Sequence, residues 1–230
     1  MKHLLIISLL FALLPISSCH DHHEHSNQQP ALTAPKLVVG IVVDQMRYDY
    51  IYRFWDKYGE GGIKRIVDDG FFCRNANFSY MPTYTGPGHA SIYTGTTPEV
   101  HGIIANYWYD RYNEATRYCA QDDSVKSVGA ETYEGKMSPK NMLTSTLGDE
   151  LRLASNFKGK SLGISLKDRG AILPGGHIAN GAYWFSGGEI GKWISSTYYM
   201  EKLPDWVQQF NESGGLSKVI IGFLGIYISG

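Results

Sequence analysis

The chain has 230 residues, 43% of them hydrophobic and 19% charged, which is long enough for one sizeable domain and too apolar for bulk disorder. Lys plus Arg number 21 against 22 Asp plus Glu, and the resulting charge of −1 leaves no electrostatic footprint for nucleic acid. Three cysteines are too few for a disulfide-stapled scaffold, and 16 Tyr with 26 Gly suit a loop-rich α/β fold better than a helical bundle.

Residues 1–18 read as an export signal. Lys2 and His3 form a basic start, and residues 4–16 are an apolar run, broken by Pro15, too short to span a bilayer comfortably. Ile16-Ser17-Ser18-Cys19 resembles a bacterial lipobox, in which Cys19 would carry lipid and attach the protein to a membrane. A plain cleaved signal with an incidental Cys19 is the alternative. Both predict an exported protein, periplasmic or held at the outer membrane. Residues 19–35 are a His-rich polar linker. Its stretch 20–25 holds four of the eight histidines and could capture zinc, but the Pro-containing continuation favours a solvated spacer.

Residues 36–218 form the predicted domain. The β-branched run at 36–43 has the pattern of a central parallel strand buried on both faces, with Asp44 at its carboxyl end, where open α/β sheets bind ligands. Helical pieces are expected at 48–58 and 62–69, a strand at 71–80, and a turn into a helix at 83–94. Strands follow at 101–109 and 115–119, then a polar loop at 120–140. Residues 141–155 give the clearest helical pattern, with Met142, Leu143, Leu147, Leu151 and Leu153 on or near one face. A second buried strand is expected at 160–166, then a polar turn, a hairpin from 182–185 and 192–197, and a helix at 203–212 opened by Pro204. Strands alternating with helices predict an α/β sheet core with flanking helices. Residues 219–230 carry no charge and read as an aberrant apolar tail, the mark of a shortened or frame-shifted end.

Three segments carry chemistry. In Pro82-Thr83-Tyr84-Thr85-Gly86-Pro87-Gly88-His89 a hydroxyl stands at the start of a helix, where free N–H groups and the dipole favour anions. Thr85 has two readings, helix N-cap and nucleophile; spacing alone favours the cap, and Asp44 raises the other. A threonine alkoxide is not accessible near neutral pH unaided, whereas Zn²⁺ can generate one. The concrete expectation is that Asp44 and Thr85 share a zinc ion and that Thr85 attacks phosphorus. Lys167 and Arg169, at the end of the second strand, offer a compact charge and a planar fork for phosphoryl oxygens, or else decorate a solvated turn. Asn106 can donate to a nonbridging oxygen or serve a turn. His89, His101 and His177 lie in turns beside glycine and read as structural. Cys73 and Cys119 either pair or remain isolated thiols. Gly159-Lys160-Ser161-Leu162-Gly163 has the letters of a nucleophile elbow, but Ser161 opens a strand instead of following one.

Val43-Asp44-Gln45-Met46-Arg47, the Thr85 segment, His101-Gly102-Ile103 with Asn106, Trp108, Tyr109 and Asp110, and Ser165-Leu166-Lys167-Asp168-Arg169 with Pro174-Gly175-Gly176-His177 occur in this order. Together they resemble the alkaline phosphatase superfamily, specifically the exported, phosphate-irrepressible bacterial alkaline phosphatases with a threonine nucleophile. The resemblance implies an α/β sheet core, two zinc ions and hydrolysis of phosphate monoesters through a phosphothreonine. It makes Asp44 a zinc ligand, Thr85 the nucleophile and a second ligand, and Asn106, Lys167 and Arg169 the holders of the phosphoryl group. Related phosphodiesterases and nucleotide pyrophosphatases share the metal core but lack the Lys–Arg pair. The family completes its zinc sites in the second half of a much longer chain. The resemblance therefore implies that these 230 residues form an inactive or weakly active amino-terminal part of the fold, incomplete at its C-terminus. A non-catalytic rival is a zinc- or phosphate-binding surface lipoprotein that uses Cys19 and the histidines of 20–25.

Overall fold

The computed structural model describes residues 35–187 and 190–214. The signal peptide, Cys19, the histidine tract, nearly all of the linker and the 219–230 tail lie outside the described residues. Residues 35–41 belong to one compact unit and 42–214 to a second.

Residues 36–43 do not form the predicted central strand. They are in no strand ladder, and Leu37 and Ile41 are 77% and 79% exposed. A continuous apolar run becomes a buried strand only when strands pair on its two sides and helices cover its faces. The described residues supply neither.

Two short helices open the second unit, α1 (Asp49–Arg53) and α2 (Arg65–Asp69). Between them the backbone leaves helical geometry at Gly61 and Gly62, so the two predicted pieces are shorter than expected. The strand predicted at 71–80 is absent, and Phe71 is almost wholly exposed. Helix α3 (Thr85–Thr94) begins where the turn signals place it, and α4 (Pro98–His101) follows with Pro at its first position. Strands β1 (Tyr107–Asp110) and β2 (Ala115–Tyr118) pair antiparallel as a separate hairpin, with Tyr107 opposite Tyr118. The stretch predicted as loop contains β3 (Ser127–Val128).

Helix α5 spans only Leu147–Ala154. Residues 141–146 are not helical, because Thr146 caps the helix: its hydroxyl accepts the Asp149 N–H at 3.1 Å, and the Asp149 carboxylate accepts the Thr146 N–H at 3.0 Å. Of the predicted apolar face only Met142 is buried; Leu143, Leu147, Leu151 and Leu153 are exposed, whereas Asp149 is 2% exposed.

The main sheet orders its strands β3-β6-β5-β4, with β4 (Leu162–Ser165), β5 (Gly181–Ser186) and β6 (Lys192–Ser196). Only β4 and β5 run parallel; β5–β6 is the predicted hairpin. Helix α6 (Asp168–Gly175) replaces the polar turn expected after β4, and α7 (Asp205–Glu212) follows Pro204. Among the described residues strand β4 is an edge strand, not a buried one: Leu162 and Ile164 are exposed.

Helix α6 is the centre of the packing, in contact with α3, β4 and β5. Ala171, Ile172 and Leu173 are fully buried beside Trp184, Ile194, Ile103 and Cys119. The helix lies directly on β4 at Gly163, where an added Cβ would sit 2.0 Å from the Ala171 carbonyl oxygen. Any side chain there would lift α6 off the sheet.

The Asp149 carboxylate holds two layers together. Besides Thr146 it accepts the backbone N–H groups of His177 (3.1 Å) and Ile178 (2.8 Å), just past α6. Burial pushes this carboxyl up, but the His177 ring and the three N–H donors outweigh burial and hold it at about 2. A carboxylate held low stabilises the fold fully above its unfolded-state pKa, and that contribution disappears as pH falls through the folded value. Asp149→Asn is expected to lower the unfolding free energy by about 2 kcal/mol at pH 7. It should also flatten the stability loss of the native protein between about pH 4 and pH 2. Urea unfolding at a series of pH values measures both.

Candidate active site

Thr85 is the first residue of α3, and the N-cap is Tyr84, which makes no side-chain cap. The Thr85 hydroxyl is therefore not spent on the helix end, contrary to the cap reading. It donates to Asp44 Oδ2 at 3.1 Å. The other Asp44 oxygen accepts the N–H of Gln45 at 3.1 Å, and Gln45 itself takes a left-handed φ of 59°. Asp44 is exposed and Thr85 half-buried, so the pair is open to solvent.

Asn106 is tied to the same helix end. Its Oδ1 accepts the Gly86 N–H at 2.7 Å, which satisfies one orphan donor of the first turn. Because the acceptor side of the amide faces Gly86, its NH₂ group is turned elsewhere, and it has no hydrogen bond among the described residues. Position 86 is tightly enclosed, and a side chain there would make its neighbours give by a few tenths of an ångström. A Cβ would stand 3.1 Å from Asn106 Oδ1, 3.3 Å from Cys119 Sγ and 3.4 Å from the Ala105 carbonyl oxygen.

Lys167 caps the start of α6, and Asp168 and Arg169 are in its first turn. Tyr118, at the end of β2, joins the last two: its hydroxyl donates to Asp168 Oδ1 at 2.7 Å and accepts from Arg169 Nη1 at 3.0 Å. Burial is the largest influence on both acids, raising the Asp168 carboxyl and driving the Tyr118 phenol well above its usual range. Arg169 Nε is buried without a partner. Lys167 is exposed, and its ammonium has no ion pair among the described residues.

The three histidines already have protein partners. His89 Nδ1 donates to the Thr85 carbonyl at 2.8 Å. His177 lies between Asp149 (3.4 Å) and the Met142 carbonyl (2.9 Å). His101 is fully buried 2.9 Å from Ser91 Oγ, the spacing of a nucleophile–base pair. However, its Nδ1 accepts the Ile103 N–H, so Nε2 carries the proton and donates to Ser91. A ring in that tautomer, with burial pushing its pKa down, cannot deprotonate the serine. Cys73 and Cys119 are both free, and burial pushes the Cys119 thiol up to about 12.

Asp44 and Thr85 fit two corners of a metal site. Oxygens bound at about 2.0–2.1 Å to a tetrahedral ion lie about 3.3 Å apart, close to the observed 3.1 Å. No cluster of three or more His, Cys, Asp or Glu suited to a metal occurs among the described residues. Two donors of about four are in place.

Comparison with known proteins agrees with this arrangement. The sequence profile of the type I phosphodiesterase / nucleotide pyrophosphatase family matches residues 38–214. The chain belongs to that family. Its superfamily is that of the alkaline phosphatases, and the fold resembles theirs. The chain is 52% identical over 213 residues to alkaline phosphatase PhoV of Synechococcus elongatus, covering 90% of this chain and 38% of PhoV. It is 50% identical over 182 residues to alkaline phosphatase PafA of Elizabethkingia meningoseptica, covering 79% and 33%. A crystal structure of wild-type PafA superposes with a TM-score of 0.79 at 48% identity, covering 81% of this chain and 36% of that one. A second PafA structure, of a variant substituted at a threonine, an asparagine, a lysine and an arginine, superposes with a TM-score of 0.76 at 44% identity, covering 78% and 35%. The chain thus spans little more than a third of the length of these family members.

Tyr118 escaped the sequence reading, as did the helix that carries Asp168 and Arg169. No local pattern links a strand-end tyrosine to residues 50 and 51 positions away. Tyr118→Phe is expected to lower stability by about 1–3 kcal/mol in urea unfolding, because Asp168 loses its donor and the Arg169 guanidinium its acceptor.

Proposed function

We propose that the full-length protein hydrolyses phosphate monoesters through a phosphothreonine formed at Thr85. The observation that carries this reading is the Thr85 hydroxyl: at a helix start where capping is the usual use, it is directed at a carboxylate instead. Asp44 and Thr85 would hold a divalent cation, zinc by the family resemblance. When bound, that ion supplies the positive charge that makes a threonine alkoxide accessible near neutral pH. Asp44 orients the Thr85 Oγ, and the N-terminal turn of α3 favours an anion beside it. The free NH₂ of Asn106, the Lys167 ammonium and the Arg169 guanidinium would neutralise the nonbridging oxygens. The Thr85 oxygen displaces the alcohol from phosphorus, and water then cleaves the phosphothreonine to release phosphate.

Two further observations support these roles. The relatives at about 50% identity are named alkaline phosphatases. The four positions altered in the PafA variant have the residue types of Thr85, Asn106, Lys167 and Arg169 in the same order. The interval within its first pair and within its last pair is also the same. The phosphodiesterase reading is favoured by the family's own description. It differs in needing no Lys167–Arg169 pair. The amino-terminal sequence adds export to the proposal, with Cys19 as lipid anchor.

The 230-residue polypeptide by itself is a different case. Phosphate monoester hydrolysis needs accelerations up to ~10²¹, on the order of 29 kcal/mol, whereas one well-placed donor supplies about 3–4 kcal/mol. Asn106, Lys167 and Arg169 cannot replace a complete metal site. We expect no measurable zinc-dependent release of 4-nitrophenol from 4-nitrophenyl phosphate by this chain. Turnover abolished by Thr85→Ala would show that the 230 residues complete their own site. Calorimetric titration with inorganic phosphate tests the clamp: Lys167→Ala with Arg169→Ala is expected to weaken binding at least tenfold, and unchanged binding would remove both from the site.

A further inference from the structure

A cleft of about 390 Å³ opens directly beside Lys167 and Arg169, and Thr85 and Asn106 are not among its walls. Its floor is Trp184, 2% exposed, with Met137 and Tyr118, both nearly buried. The Trp184 indole is fixed, since its Nε1 donates to the Glu134 carbonyl at 2.8 Å. The rim is Tyr107 and Tyr133, both more than half exposed; the Tyr107 ring rests on Tyr118 with centroids 4.8 Å apart. Such a cleft has the size and lining of a small-molecule site: apolar and aromatic walls with a few polar groups at one end.

The arrangement of charge is uneven. The cations Lys167 and Arg169 line the cleft together with the Asp168 carboxyl, which accepts from the Tyr118 hydroxyl, and the Glu134 carboxylate, held by the Ser186 hydroxyl, is also part of the wall. A second anionic group would be repelled by Glu134; an uncharged flat ring would lie against the exposed rim tyrosines, Tyr107 and Tyr133. Direct displacement at phosphorus puts the leaving oxygen opposite the attacking one. A phosphoryl group held by Lys167 and Arg169 and attacked from Thr85 would send its alcohol to the side away from Thr85.

We infer that this cleft is the leaving-group subsite and that it selects monoesters of uncharged aromatic alcohols. The inference rests on the phosphatase reading for the position of the phosphoryl group. Its test is direct binding to the 230-residue chain, by titration with phenyl phosphate and with methyl phosphate, which have the same anionic group. Phenyl phosphate is expected to bind about tenfold more tightly. Tyr133→Ala, at an exposed rim position where folding is not at stake, should bring the two affinities within about twofold of each other. Equal affinities in the native chain, no binding of either ester, or a tenfold preference that survives Tyr133→Ala would overturn the subsite. Lys167→Ala with Arg169→Ala should weaken both esters alike. If it weakens neither while the phenyl preference persists and needs Tyr133, the phosphate clamp fails and the aromatic subsite stands.

Discussion

The first turn of α3 lies so close to Asn106 and the Cys119 sulfur that a Cβ at position 86 would stand 3.1 Å from the one and 3.3 Å from the other. That close approach has three consequences. It lets the Gly86 N–H reach the Asn106 carbonyl, which turns the amide NH₂ away from the helix. It brings the helix start against the end of β2, whose Tyr118 holds Asp168 and Arg169. It also leaves Thr85, one residue earlier, with its hydroxyl free to meet Asp44. Four candidate groups from distant parts of the chain are ordered around one glycine. A methyl group at position 86 would press on Asn106, Cys119 and the Ala105 carbonyl and make them give by a few tenths of an ångström.

The second pivot is electrostatic. Arg169 cannot lose its charge, and partial burial makes an unpaired guanidinium costly. Tyr118 relieves that by accepting from Arg169 while donating to Asp168, so charge of both signs is spread over three groups. Burial raises Asp168, yet the Tyr118 bond and the nearby cations oppose that rise. A bridge of this kind, with no direct Asp168–Arg169 ion pair among the described residues, adds little net stability. Its effect is geometric: Arg169 is locked from one side, and its remaining donors are presented in a fixed plane.

What the sequence made legible follows from where each signal is local. The α3 start, the β5–β6 hairpin and α7 are marked by Gly, Pro and alternation within a few residues, and they form as read. Helix α6 was hidden because Gly170, Pro174 and Gly175 argue against a helix; Pro174 is tolerated in its last turn, and Gly170 sits where a Cβ would strike Ser165 Oγ. The α5 boundary was legible in Thr146 and Asp149, a capping box outweighed in the reading by a longer leucine pattern. Residues 36–43 misled for a different reason. Apolar β-branched sequence states that a segment should be buried, not that its partners are among the described residues. Candidate site residues were found through motif order, whereas Tyr118 acts across the fold and leaves no spacing to read.

Two features of the described residues bear on the same chemistry. Asp44 and Thr85 offer an ion two donors, and β4, whose following turn carries Lys167, is an uncovered edge with Leu162 and Ile164 exposed. Charged donors of the kind carried by Lys167 and Arg169 interact strongly with an anion only where water is excluded and they cannot drift. An edge strand free to pair or fray transmits that freedom to the helix start it feeds. Cover over β4 would therefore strengthen the charged groups at positions 167 and 169, which in water act at a small fraction of their buried strength.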